Sequence, residues 1–291
     1  MMGFALALSG GGLLGAAHIG VLKALEEEGL RPQAMAGTSA GGLVGALYAL
    51  GVSMQRLQEV GALVTAAPTD YFHFNDQLLS EFWPWDSSPA TGLINPSRFL
   101  SSLLDLAPTA VTTADFKMPT VITAMDVVNL ESVAFSNFPG VAPMRGHWTV
   151  YQNAPLDLAL GATMALPGLF DAPRWGNRVL IDGGTADTLP ADWAAALYPG
   201  PVVAVNVAVP PVLHADKVGI EEILSRAEQY ATQTLSQLRM WGKRVFVIAP
   251  QTQNVPFFGF KDYDMLVDRG FLAAKQAMSQ LKKFIAEEES G

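Results

Sequence analysis

Apolar residues along this chain follow two alternating rhythms. Strand-length runs occur at Phe4–Leu8, Ala34–Ala36, Pro119–Val127, Glu131–Phe135, Arg178–Ile181, Pro201–Val209 and Arg244–Ile248. Between them, apolar positions recur three and four apart, as one face of a helix requires. That spacing predicts helices from about Ala16 to Glu28, from Gly42 to Leu50, over Met54–Val64, from Ser97 to Leu106, over Pro155–Leu166, around Ala191–Leu197 and over Gly219–Trp241. A last helix carries Val267, Phe271, Ala274, Met278, Leu281 and Ile285 on one face. Strands alternating with helices throughout predict a single α/β domain over residues 1–291. It opens with a parallel βαβ unit.

One stretch keeps neither rhythm. From Pro68 to Pro96, Tyr71, Phe72, Phe74, Phe82, Trp83 and Trp85 mix with Pro84, Pro89 and Gly92. A long aperiodic insertion in a compact domain reads as a lid or binding loop. The competing reading is packed core of an insertion. Pro256-Phe257-Phe258-Gly259-Phe260 leaves the same choice open.

Composition narrows the function classes. Hydrophobic residues make up 50% and charged ones 15%, which suits a sizeable core and excludes a disordered chain. A net charge of -9 argues against a nucleic-acid partner, because neutralising phosphates takes Lys and Arg. There is no cysteine, hence no disulfide, thiol catalysis or thiolate metal site. Met1-Met2-Gly3-Phe4 lacks the basic start of a secretory signal, and no apolar run of about eighteen residues is present to span a bilayer. A soluble, cytoplasmic protein is the expectation.

Two small-residue stretches carry the candidate chemistry. Gly37-Thr38-Ser39-Ala40-Gly41 lies between a strand and a helix, the context of a G-x-S-x-G nucleophile elbow. It is equally the context of an ordinary serine N-cap. Gly10-Gly11-Gly12-Leu13-Leu14-Gly15 fits the dinucleotide pattern G-x-G-x-x-G, which would make the chain an oxidoreductase. That reading needs an acidic residue after the second strand, and between Gly29 and Gln58 there is none. The other use of the loop is an oxyanion hole facing Ser39 across the same sheet edge. For a base, His18 sits inside the first helix, where a structural histidine is the simpler reading. His73, His147 and His214 have no local signature. Asp182, ending a strand before Gly183-Gly184, is better placed, though it also reads as a turn aspartate. Ser279-Gln280-Leu281-Lys282 matches S-x-x-K but reads as a solvated helix face.

Taken together and in order, Ala5-Leu6-Ala7-Leu8-Ser9-Gly10-Gly11-Gly12, Gly15 to Leu25, Ala36 to Gly41, Ala162-Thr163-Met164-Ala165-Leu166-Pro167 and Asp182-Gly183-Gly184 resemble the patatin-like phospholipases. The resemblance implies a three-layer α/β/α sandwich around a mixed, mostly parallel sheet. It also implies a Ser–Asp dyad of Ser39 and Asp182, with Gly10, Gly11 and Gly12 as oxyanion hole. The expected reaction is hydrolysis of lipid acyl esters through an acyl-enzyme, with no metal or organic cofactor; for such a substrate the two aromatic stretches read as an acyl pocket or as an interfacial patch in transient contact with a membrane surface. A catalytically idle lipid-binding protein of the same fold is the other outcome. Leu14, Thr163 and Thr188 depart from the family's usual Arg or Lys, Ser and Asn. Leu14 removes a cation and points to a less charged ester.

Overall fold

The computed structural model describes residues 3–75, 89–140, 143, 147–208, 218–253, 255 and 259–290. Phe82, Trp83, Pro84 and Trp85 of the aromatic insertion, His214, and Pro256, Phe257 and Phe258 lie outside the described residues. The central sheet begins with β1 (Ala5–Leu8) and continues with β2 (Ala34–Thr38). The connection between them holds α1 (Ala16–Glu27), and α2 (Ala40–Ala49) and α3 (Met54–Ala66) follow β2. A one-turn helix, α4 (Pro68–Tyr71), leads to β3 (His73–Phe74). After β4 (Gly92–Asn95) and α5 (Ser97–Leu104) come β5 (Thr120–Asp126), β6 (Glu131–Ser136) and β7 (Trp148–Gln152). Next are α6 (Leu156–Met164), β8 (Gly168–Phe170), β9 (Arg174–Trp175) and β10 (Arg178–Asp182). The chain ends through α7 (Ala191–Leu197), β11 (Val202–Val205), α8 (Ile220–Met240), β12 (Val245–Ile248) and α9 (Tyr263–Ser290).

Strands β12, β11, β1, β2 and β5 run parallel, while β5 pairs antiparallel with β6 and β10. The sheet is therefore mixed and mostly parallel, as expected. One edge of β5 is shared by two strands: Thr38 of β2 stands opposite Thr123, and Asp182 of β10 stands opposite the next residue, Ala124. Because β10 arrives from the opposite direction, its last residue meets the last residue of β2 end to end.

Alternation along the strands sorts residues between the two faces. Leu6, Leu8, Met35 and Ile122 pack under α1, α2, α3 and α9. The smaller Ala5, Ala7, Ala34 and Ala36 leave room on the other face for Trp193, Ala194 and Leu197 of α7. The result is helix, sheet and helix in three layers. Within the described part of the expected strand Pro201–Val209, which stops at Ala208, only Val202–Val205 is strand, and beyond it the Asn206 side chain accepts the Ala208 amide in a turn. Strands β3, β4 and β8, which form a small separate sheet, and β7 and β9 are additions to the strands that the sequence pattern predicts. No helix among the described residues is long and apolar enough to cross a membrane.

Helices α1 and α9 cross at backbone contact: a Cβ on Gly20 would run into the Val267 carbonyl, and one on Gly270 into that of Ala17. Within α1, His18 is fully buried and its Nε2 donates to the Ser9 carbonyl at 2.9 Å, tying the glycine loop to the helix behind it. Burial lowers its pKa to about 4, against a partial counter-effect from that hydrogen bond. His18 is thus a neutral structural histidine, matching the simpler sequence reading.

Overpacking predicts that Gly20→Ala lowers unfolding free energy in urea by about 1–3 kcal/mol. Gly45→Ala, whose new methyl would lie 3.5 Å from Met35 Cε, should be neutral or gain about 0.5–1 kcal/mol from helix propensity. Equal losses in both would contradict this packing. His18 predicts a pH effect of known sign. Below its unfolded pKa of 6.5 the unfolded chain takes up a proton that the folded one refuses until about pH 4, so stability falls as pH falls through that window. Between pH 7.5 and 5 the loss should be about 2 kcal/mol. His18→Gln should lack that component when unfolding is compared at the two pH values.

Candidate active site

Ser39 occupies the sharp turn between β2 and α2 with φ 54° and ψ -127°, a strained conformation for a residue with a side chain. Its neighbours explain how the chain tolerates this. A Cβ on Gly37 would strike the Gly41 carbonyl, and one on Gly41 would strike the Leu8 carbonyl and come within 2.6 Å of that of Ser9. Ser39 stands at the N-cap position of α2, but its side chain makes no capping bond there, and the residue lines the cavity described below. Instead, the Ser39 amide donates to Thr163 Oγ1 at 2.8 Å. Thr38 is held as firmly: its hydroxyl bonds Thr123 Oγ1 at 2.7 Å and the Asp187 carbonyl at 2.8 Å.

The glycine loop lies directly beside the elbow. A Cβ on Gly10 would approach Ser39 Cβ to 3.3 Å, and one on Gly15 would collide with Ala40. Gly11 and Gly12 have φ of 155° and 55°, values that favour glycine. Their amides have no partner among the described residues, whereas the Gly10 amide donates to the Thr188 carbonyl at 2.9 Å. Gly10 therefore differs from the three-donor expectation: its N–H is engaged within the fold, and what it contributes is space beside Ser39. The Asp187–Thr188 segment that receives Thr38 and Gly10 is itself anchored by Ser236, whose hydroxyl donates to Asp187 Oδ1 at 2.7 Å, and by Arg239, 3.4 Å from Asp187 Oδ2. Asp192 lies in the same buried cluster. Burial, with the nearby Asp187 charge, pushes its pKa up to about 7.

Asp182 ends β10 with 3% of its surface exposed, and its Oδ1 accepts the Gly184 amide at 2.7 Å. Gly183 has no room for a side chain because it lies against Thr123. The turn-aspartate reading is thus correct as far as it goes, and the β5 register adds what sequence could not supply: Asp182 beside the end of β2.

Ser39, Asp182 and Gly12 all line one cavity of about 440 Å³. It follows α2 along Ala40, Leu43, Val44 and Leu47, and its far wall is formed by α3, α5 and the start of α9. Phe72, from the aromatic insertion, stacks near Phe99, Phe170 and Phe260, with ring centroids 5.1, 5.7 and 6.4 Å away, and all four line the cavity. Phe74 is instead exposed. Among the described residues, none that lines the cavity is a histidine, lysine or arginine. His73 lies on β3 and His147 before β7, neither against the cavity. Among the described residues no cluster of His, Asp and Glu could hold a metal ion. Sequence reasoning noticed Thr163 only as a departure and did not see it as the acceptor for the Ser39 amide. It missed Tyr263 and the inner face of α3, because helical spacing marks a buried face without saying what it faces.

The family profile of patatin-like phospholipases matches residues 6–195. An uncharacterized NTE family protein of Mycobacterium tuberculosis is 30% identical over 204 residues, covering 70% of this chain and 48% of the relative. Mouse patatin-like phospholipase domain-containing protein 6 is 30% identical over 210 residues, 70% of this chain but 13% of that protein. The chain spans about half the length of the mycobacterial relatives it matches. The crystal structure of VipD from Legionella pneumophila aligns with 95% of this chain and 67% of its own at a TM-score of 0.51, with 14% identity, a likeness of fold. With the profile match covering well over half its length, this chain belongs to the patatin-like phospholipase family.

Proposed function

We propose that this protein is a serine hydrolase that cleaves lipid acyl esters through an acyl-enzyme formed by Ser39 and Asp182. The observation that carries the reading is the strained Ser39 elbow lining an apolar cavity that Asp182 and Gly12 of the glycine loop also line. Ser39 Oγ attacks the ester carbonyl while its proton passes to Asp182. The oxyanion is received by the Gly11 and Gly12 amides and favoured by the N-terminus of α2. The C–O bond then breaks, and the departing alcohol takes the proton from Asp182. A water deprotonated by Asp182 attacks the acyl-enzyme, and the fatty acid leaves as Ser39 regains its proton.

The cavity supports a long hydrocarbon chain as the acyl group, since its walls offer little to a polar ligand. The same walls count against a dinucleotide, which needs partners for its phosphates and ribose. The absence of Lys or Arg from the described lining residues, with Leu14 in the glycine loop, supports an ester that does not depend on an anionic head group for recognition. Family membership supports lipid as the substrate class.

On p-nitrophenyl acyl esters, Ser39→Ala should lower kcat at least about 10³-fold. Asp182→Asn should do likewise while its thermal unfolding stays cooperative, because an amide cannot accept the serine proton. Full activity in either variant would overturn its assigned role. Thr163→Val removes the acceptor for the Ser39 amide and should cost about tenfold or more in kcat, whereas Thr163→Ser should retain activity. Equal rates in both would show that the hydroxyl does not position the elbow.

A further inference from the structure

The short segment Asp187–Leu189 is bonded to three parts of the site that the sequence keeps apart. The Asp187 carbonyl accepts the Thr38 hydroxyl at 2.8 Å, one residue before Ser39. The Thr188 carbonyl accepts the Gly10 amide at 2.9 Å, and the Asp187 amide donates to the Gly183 carbonyl at 2.8 Å, one residue after Asp182. A shift of this segment would therefore move the serine turn, the glycine loop and the aspartate turn relative to one another.

The anchors of the segment come from α8, which packs against α7 and the turn after β10. Ser236 is 4% exposed, and its hydroxyl donates to Asp187 Oδ1 at 2.7 Å while accepting the Thr188 amide at 3.0 Å. Arg239, about one turn further along the same face, lies 3.4 Å from Asp187 Oδ2 with both side chains nearly buried. Its guanidinium lies over the Trp148 ring, 5.0 Å from the centroid. A buried ion pair is a poor way to gain stability, because desolvating both charges offsets their attraction. Apolar side chains could hold α8 in place as well, but they could not orient a carboxylate and the backbone that follows it. Neither Ser236 nor Arg239 lines the cavity, so neither is placed to touch an ester.

We propose that Ser236 and Arg239 are positioning residues for the hydrolysis: acting through Asp187, they fix the carbonyls that hold Thr38 and Gly10, and so set the glycine loop against Ser39. This rests on the hydrolase reading above and extends its working parts to α8. Both residues stay outside the bond-making steps and act on the geometry in which ester attack begins.

The test compares Ser236→Ala and Arg239→Met with wild type on a p-nitrophenyl acyl ester, with kcat corrected for the folded fraction at the assay temperature. Each should lower kcat about tenfold and leave KM within about twofold. Ile285→Val controls for stability alone. It lies about 33 Å along α9 from Tyr263, the residue of that helix that lines the cavity, and should lower Tm at unchanged kcat. Hydrogen exchange followed by NMR reads the link itself: in Ser236→Ala the Gly10 amide should exchange about tenfold faster relative to the buried amides of α9. Unchanged kcat in either variant, a loss through KM alone, a matching loss of kcat in Ile285→Val, or Gly10 exchange that rises no more than that of α9 would overturn the proposal. If Ser236→Ala does not fold, Arg239→Met carries the same two readouts. If the wild-type protein hydrolyses no ester, the hydrolase reading fails separately, and Gly10 exchange decides whether α8 holds the loop. Selective acceleration there supports the claim, and unchanged exchange overturns it.

Discussion

The structure depends on how closely the first turn of α2 approaches the end of β1. Gly41 lies against the Leu8 and Ser9 carbonyls, and Gly37 against Gly41 itself, at separations that no side chain would allow. That approach forces the chain to reverse within one residue, and the residue is Ser39. A non-glycine residue in this conformation costs of order 1–3 kcal/mol, so the surroundings must hold it there. They do so through hydrogen bonds from the Ser39 amide to Thr163 Oγ1, from Thr123 to Thr38, and from Thr38 to the Asp187 carbonyl.

The same bonds draw distant parts of the chain onto one point. Thr163 belongs to α6, Thr123 to β5, and Asp187 to the turn after β10, which in turn receives the Gly10 amide through Thr188. His18 anchors the other side of the loop through Ser9. The elbow, the loop and Asp182 are therefore parts of one hydrogen-bonded frame, and the apolar cavity begins where that frame opens. Ser39, Gly12 and Asp182 line that cavity together, and the proposed ester attack uses these three.

Much of this could be read in the chain order. The glycine positions, Ser39 and Asp182 follow strands whose apolar runs are plain, and small residues at tight turns have a direct steric meaning. What could not be read was mutual placement. Asp182 could be read as the end of a strand, but not that β10 runs antiparallel to β5 and meets β2 because both share one edge of β5. Gly10 looked like an oxyanion donor because a glycine's role in sequence does not reveal where its amide points. Thr163 differs from its expected serine by a methyl and retains the one oxygen that matters. Tyr263 stood at the start of a long amphipathic helix, where period alone marks it as core.

The central claim is that this geometry makes the Ser39 hydroxyl a nucleophile. Labelling the folded protein with a fluorophosphonate probe and mapping the adduct by peptide mass spectrometry tests it most directly. The account predicts one dominant adduct on Ser39, absent from acid-unfolded protein. Intact protein that remains unlabelled at Ser39, or is labelled at another serine instead, would contradict it.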